Sequence, residues 1–469
     1  MKQERHNRYR KLLLRNSLDK LLCDSDFIGA LTMDDDLQQE LCQADNLGIL
    51  VNHICGNDEN DFDDCDYQMV STQIICSDMK VINESIAKMP ELIETMILYI
   101  NPDEEETLIC IIKTFNMLLM TKNPAFFNII TKSDLRLEQI WTFVDNYDVF
   151  SFFVALLKQS GEEVSGLNWL CSNNFVGLML NSFLDEIHRD VLYNEEVVDN
   201  ITKLFEQLEM VETDTTPFLE NFNACDLNAF YKGVFSTGNL YLKESGIKII
   251  RIVMDSSHKE EMCNESVENL PPTFSEIFKF FTHIVGILQY VDGPITSLRI
   301  ELARVVLSLV NSQYQSVVNK VAELHLVNEL LNIFFCTTHS NTIFRQLIFE
   351  IVSVIYDKQM VEPLCIEIIK MGFLEKLLKY NKLFFDSKEV KNSDLHTFVR
   401  LFLDNFCAIQ QNAPEGPVQQ LLHNNTDFQE YYLKNKKDAK LEYFLLPKQA
   451  PTPDEALYDF NDENEQDYN

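Results

Sequence analysis

Apolar residues recur along this chain at i, i+3, i+4 and i+7, segment after segment, and the strict alternation of a half-buried strand is nearly absent. The spacing predicts amphipathic helices over 90–100 (PELIETMILYI), 107–120 (TLICIIKTFNMLLM), 134–144 (DLRLEQIWTFV) and 147–159 (YDVFSFFVALLKQ). It predicts four more over 292–311, 316–335, 340–357 and 360–381. Their starts carry Asp, Ser or Pro, where a side-chain oxygen caps free amides or a ring pre-sets φ. Their stops carry Asn, Gly or Pro. The chain reads as all-α.

Two phrases, LHLVNELL (324–331) and KMGFLEKLL (370–378), share an ending with paired leucines, and Leu331 and Leu378 stand 47 residues apart. That is the period of armadillo/HEAT-type repeats. A pair of amphipathic helices cannot bury its apolar face alone, so neighbours stack. The expected fold is an all-α, armadillo/HEAT-like helical-repeat solenoid; a single large helical domain without internal repeats is the alternative. The expected organisation is a basic arm over 1–16, a repeat domain over 17–445 with an internal loop at 256–272, and an acidic tail over 446–469 too poor in aliphatics to fold. The acidic stretch CGNDENDFDDCD (55–66) reads as a solvated loop.

Composition narrows the function. A formal charge of −34 opposes nucleic-acid binding, which needs cations to displace counterions, and disfavours anionic membranes. No apolar run approaches the roughly 20 residues that span a bilayer. The start, MKQERHNRYRKLLLRNSLDK, is basic, but its three consecutive leucines are too short for a secretory segment. A solvated arm is the reading adopted, and a mitochondrial presequence is the alternative. Twelve cysteines fall as singles without a C-x-x-C pair, as reduced thiols do in a cytoplasmic or nuclear protein. The expected partner is a protein.

The chain carries no G-x-G-x-x-G, Walker loop, H-E-x-x-H or G-x-S-x-G. His53 and Cys55 near Cys65 fall short of zinc spacing, and the acidic clusters lack the Gly and Glu of an EF-hand loop. His283 and His325 lie in apolar helical contexts and read as core or groove imidazoles. No catalytic residue, metal or cofactor is expected. In LTMDDDLQQELCQADNLGIL (31–50), Thr32 and Asp35 have the form of a capping box, with the three aspartates complementing a helix dipole.

Five blocks in series resemble the SAPS-domain family, regulatory subunits of protein phosphatase 6-class Ser/Thr phosphatases. The first is Met33, Asp34, Asp35, Asp36, then Cys42, Ala44, Asn46, Ile49 and Leu50. The second holds Ser77, Asp78, Ile82 and Asn83. The third, PITSLRIELARVVLSLV, supplies Pro294, Ile295, Arg299, Ala303 and Arg304; NLY…SGIKIIRIVMD (239–255) and EGPVQQLL (415–422) follow the same pattern. The chain departs from the family at its start, at Thr296, where glycine is usual, and at Glu40-Leu41. The resemblance implies a non-catalytic helical-repeat subunit that binds a phosphatase catalytic subunit and directs its substrate choice or localisation, alongside an ankyrin-repeat subunit. The chemistry would belong to the partner's two metals. The polar members of the matched blocks, Asp34, Asp35, Asp36, Ser77, Asp78, Arg299 and Arg304, are the candidate partner-binding residues. A generic armadillo/HEAT adaptor unrelated to phosphatases is the alternative.

Overall fold

The computed structural model describes residues 2–15, 17–57, 65–77, 79–121, 124–159, 164–210, 214–258, 263–289, 295–335, 341–357, 362–386, 394–412 and 416–435. Among them stand twenty-nine α-helices and three short 3-10 helices. One isolated backbone bridge, Cys263 to Tyr314, is the nearest approach to a sheet among those residues. The chain divides into two compact units. The first takes in Met1–Glu260, Glu265–Ile287 and Thr296–Ser308, and the second the described residues among Glu261–Asn264, Leu288–Ile295 and Leu309–Asn469.

In the first unit, helices Tyr67–Cys76, Glu105–Met120, Tyr147–Leu157, Glu195–Glu209 and Leu240–Ser256 form a ladder in which each packs on the next. Each partner is the third helix onward, and successive starts are roughly forty to fifty residues apart, the armadillo/HEAT period. In the second unit, Gln315–Glu323 packs on Glu362–Lys370, and that helix on Pro417–Asn424. Likewise Thr342–Asp357 packs on Asp394–Asn412, and Phe373–Asp386 on Thr426–Asn435. Each unit is therefore an all-α, armadillo/HEAT-like helical repeat. Side-chain hydrogen bonds also link successive repeats: Asn116 to the Asp148 carbonyl spans 32 residues, Trp141 to Ser182 spans 41 and Ser308 to Asp255 spans 53.

A recurring corner marks the repeat. Arg136, Asn174, His325 and Gly372 have φ of 50°, 57°, 53° and 81°. Each stands immediately before a helix whose first residue, Leu137, Phe175, Leu326 or Phe373, is buried. A left-handed non-glycine costs about 1–2 kcal/mol, so burial of the following apolar residue imposes it. These corners correct three expected helices. The span 316–335 is two helices, Gln315–Glu323 and Leu326–Phe334, broken at His325; 360–381 is broken at Gly372; and 134–144 shrinks to Leu137–Trp141. Periodicity missed the breaks because the helices on both sides bury apolar faces. The helix expected over 292–311 is Ser297–Asn311, and Asp292 and Pro294 lie outside the described residues.

Neither histidine expected in a core or groove is buried. His325 is turned out by its corner, its Nδ1 2.5 Å from Glu367 Oε1, and His283 is exposed beside the rings of Phe235 and Phe280. The expected solvated N-terminal arm is instead helix Lys2–Leu13, with Tyr9 and Leu13 buried one turn apart. The Tyr9 ring meets Phe27 edge-on at 5.5 Å, and its hydroxyl donates to Asp24 at 3.0 Å. The expected loop at 256–272 begins where Leu240–Ser256 ends and includes the 3-10 turn Val267–Asn269. The acidic stretch over 58–64 and the tail beyond 435 lie outside the described residues.

One part-buried ion pair, with the arginine buried, joins two stacked helices of the second unit. Arg345, 3 % exposed, donates to Asp394 at 2.5 Å, and Thr342 donates to the same carboxylate at 3.1 Å. Burial pushes the Asp394 carboxyl up, but Arg345 and Thr342 outweigh it and hold it below the usual carboxylate value. A depressed folded pKa stabilises above the unfolded value and is lost as pH falls through the folded one. Asp394→Asn should therefore cost about 3 kcal/mol at neutral pH by stranding a buried guanidinium. Chemical denaturation across pH checks this, because the gap from wild type should close only below the ordinary carboxylate range.

Candidate interaction surface

Two ladder helices, Glu195–Glu209 and Leu240–Ser256, and the later helix Ser297–Asn311 carry polar residues at i, i+4 and i+7, continued to i+11 on the last two, the spacing of one helix face. These are Asp199, Lys203 and Glu206 on one helix, Glu244, Lys248, Arg251 and Asp255 on the next, and Ser297, Glu301, Arg304 and Ser308 on the third. Lys113 and Asp148 continue the stripe on two earlier helices, 3.6 Å apart. Charges on the stripe nearly balance, although the whole chain carries −34.

Neighbouring stripes touch. Lys248 pairs with Glu206, the Tyr241 hydroxyl donates to Asp199, and Ser297 donates to Glu244. Arg251 Nε lies 3.4 Å from Glu301 Oε2 and its Nη1 donates to Asp255 at 2.9 Å, while Arg304 donates to the other Glu301 oxygen. Beside this seam a small hollow is lined by Leu208, Thr215, Asp255 and Ser256. The Tyr241 phenol is pushed well above its ordinary pKa, first by burial and then by Asp199.

The predicted residues fall in two separate places. Asp34, rather than Thr32, caps helix Asp35–Leu41: its Oδ1 accepts from the Leu37 amide at 3.1 Å, whereas Thr32 donates to the Gly29 carbonyl. Asp36 meets Arg10 of the N-terminal helix at 2.5 Å, and Asp34 lies 3.6 Å from the same guanidinium. The hydrogen bond that Arg10 donates to Asp36, together with the Asp36 charge, outweighs burial and raises the Arg10 pKa. Asp35 is exposed in the first turn. Ser77 ends helix Tyr67–Cys76 and donates to the Gln73 carbonyl at 2.5 Å; Asp78 lies outside the described residues.

Arg299 is buried, and Arg304 is half-exposed on the stripe. The intervening ladder separates Asp34, Asp35 and Asp36 from the arginines, so the structure does not gather the six described residues into one site. Sequence reading missed Arg251, Asp255, Glu301 and Ser308. Their signal was available as polar positions one helical turn apart inside apolar runs.

Ser308, Asp255 and His258 stand together without the order of a nucleophilic triad. The Ser308 hydroxyl donates to Asp255 at 2.5 Å, and His258 Nε2 faces the Ser308 backbone carbonyl at 3.1 Å. In a triad the imidazole accepts the hydroxyl proton. Here that acceptor is the carboxylate. The thiols also lie on the unreactive side: burial pushes Cys55 and Cys407 up to about 12 and Cys171 up to about 11. Among the described residues no three His, Cys, Asp or Glu side chains are grouped to hold a metal. No described helix is long and apolar enough to cross a membrane.

No family model and no curated protein matches the chain. Among solved structures it is similar to SYS-1, at 12% identity over 96% of this chain and 91% of that chain, with a TM-score of 0.49. SYS-1 in complex with POP-1 gives 11% over 92% and 84% at 0.49, and an engineered protein gives 10% over 92% and 98% at 0.46. Likenesses of this degree carry no functional argument; the fold rests on the packing described above.

Two outcomes follow from the seam and the thiols. Glu301→Gln removes the charge between two guanidinium groups and should cost about 2–3 kcal/mol of stability by denaturant titration. Alkylation of the native protein at pH 7.5, read by mass spectrometry, should modify exposed Cys23 first and leave Cys55, Cys171 and Cys407 intact until unfolding.

Proposed function

We propose that this chain is a non-catalytic protein-interaction scaffold. Its finer role is that of a regulatory subunit that binds a protein phosphatase 6-type catalytic subunit and directs it to substrates. The observation that supports the scaffold reading is the polar stripe carried from ladder helix to ladder helix. A stack of this kind offers a long surface whose side chains are set by the backbone beneath them. The phosphatase reading is supported by the serial resemblance of five blocks in their family order. It brings an ankyrin-repeat subunit as a third partner.

The alternative, a generic armadillo/HEAT adaptor, shares the stack and lacks the phosphatase. A transport receptor that presents rows of Trp and Asn is disfavoured. Trp141 donates to Ser182 at 2.6 Å and Trp169 to the Thr131 carbonyl at 3.1 Å, so both indoles serve the fold.

Tagged full-length chain should recover a type 2A-like phosphatase catalytic subunit, read by mass spectrometry; its reproducible absence would leave the generic adaptor. Asp35→Lys changes the one exposed member of the triplet that neither caps the helix nor meets Arg10. It should weaken recovery at least threefold with unchanged melting, and unchanged recovery would remove the triplet from the interface.

A further inference from the structure

Between helices Phe175–Arg189 and Glu195–Glu209 the chain makes a short turn that sends two aliphatic side chains into solvent. Val191 and Leu192 are each 85 % exposed. The turn is not loose. Asp190 sits at φ 52°, ψ −99°, outside the ordinary left-handed well and unfavourable for any residue with a Cβ. Glu186, buried beneath it, accepts from the Arg189 guanidinium at 2.7 Å and from the Asn194 amide at 2.6 Å. One carboxylate thus clamps both ends of the turn. Asn194 then caps the following helix, accepting from the Glu196 amide at 3.1 Å.

The neighbouring ladder helices extend the apolar surface. Tyr193 and Tyr241 lie ring to ring at 5.8 Å, and Leu240, at the start of the next helix, is 65 % exposed. On the other side Asn194 donates to Asp145 at 3.1 Å, and Asn200 donates to the Val144 carbonyl at 2.8 Å. These bonds hold the loop leading to Tyr147, itself 76 % exposed, against the start of helix Glu195–Glu209. The charge around this surface is acidic: Asp145, Asp190, Glu195, Glu196 and Asp199. The local cations are committed, Arg189 to Glu186 and Lys203 to Asp199 at 3.5 Å.

We propose that the clamped turn Arg189–Asn194, with Tyr147 and Leu240 beside it, is a docking knob for a folded protein whose apolar cleft is rimmed by lysine or arginine. Exposed aliphatics return nothing to the fold, and a rigid support removes the ordering cost of binding. The acidic frame selects a basic rim and repels both an anionic membrane and a second copy of a chain carrying −34. The knob borders the polar stripe at Asp199 and presents two adjacent aliphatic side chains on a clamped turn, so it takes a cleft rather than an extended peptide. The proposal deepens the scaffold reading and rests on it.

The test places a photo-crosslinking p-benzoylphenylalanine at Leu192 of tagged full-length chain in cells that express it, with Leu98, another exposed leucine, as control. One protein should cross-link at Leu192 and not at Leu98, through residues of an apolar cleft bordered by Lys or Arg. Titrated in purified form, that protein should bind Val191→Ser/Leu192→Ser at least tenfold more weakly than wild type, with unchanged melting. Binding to wild type should also weaken at least threefold from 50 to 300 mM salt. Cross-linking to a second copy, to lipid, to no protein, or equally at both positions would overturn the knob, as would equal affinity of the double variant. If wild type still recovers partners while the knob fails, the scaffold reading survives; if wild type recovers no protein, that reading fails with it.

Discussion

Successive ladder helices close much of their apolar faces against the helix three positions onward. Glu105–Met120 closes on Tyr147–Leu157, and Glu195–Glu209 closes on Leu240–Ser256. The rest of the structure depends on this constraint. It sets the roughly forty-to-fifty-residue spacing of the ladder helices and places the left-handed corners at Arg136, Asn174, His325 and Gly372, where the chain must turn before the next apolar residue is buried. On Glu195–Glu209 and Leu240–Ser256 it also leaves one face for polar side chains. Lys248 with Glu206 joins the same two helices that the apolar faces join, and Arg251 with Glu301 carries the polar seam on to helix Ser297–Asn311. Stability in such a stack is a sum of repeats and nearest-neighbour contacts.

The N-terminal segment follows from the same need. Its Tyr9 and Leu13 find burial, and that docking brings Arg10 to Asp36 and Asp34. The three aspartates of 34–36 therefore have separate roles: Asp34 closes the helix end, Asp36 answers a cation from another helix, and Asp35 faces water. A balanced polar stripe and an acid-framed apolar knob coexist on the first unit. They suit different partners, which is what a scaffold requires.

Helix type and repeat period were legible in the residues, because a 3.6-residue apolar pattern survives whatever the helix packs against. The breaks at His325 and Gly372 were not, although the two phrases that contain them had been aligned. A single left-handed residue leaves no mark on periodicity when helices on both sides are apolar. The capping box was half legible: Thr32 and Asp34 are equally good caps by type, and only the backbone, extended at Asp34, decides between them. The arm at 1–16 was misjudged because six cations outweighed two apolar residues one turn apart. Val191 and Leu192 could not have been found from sequence, since two aliphatics between helices look the same buried or presented.

The central claim is that this chain acts through surfaces of a nearest-neighbour stack. Hydrogen exchange of the full-length chain, alone and saturated with a protein phosphatase 6-type catalytic subunit, tests it most directly. The account predicts slowed exchange in one contiguous run of neighbouring repeats and unchanged exchange elsewhere. Unchanged exchange throughout, or slowing scattered over non-adjacent repeats, would contradict it.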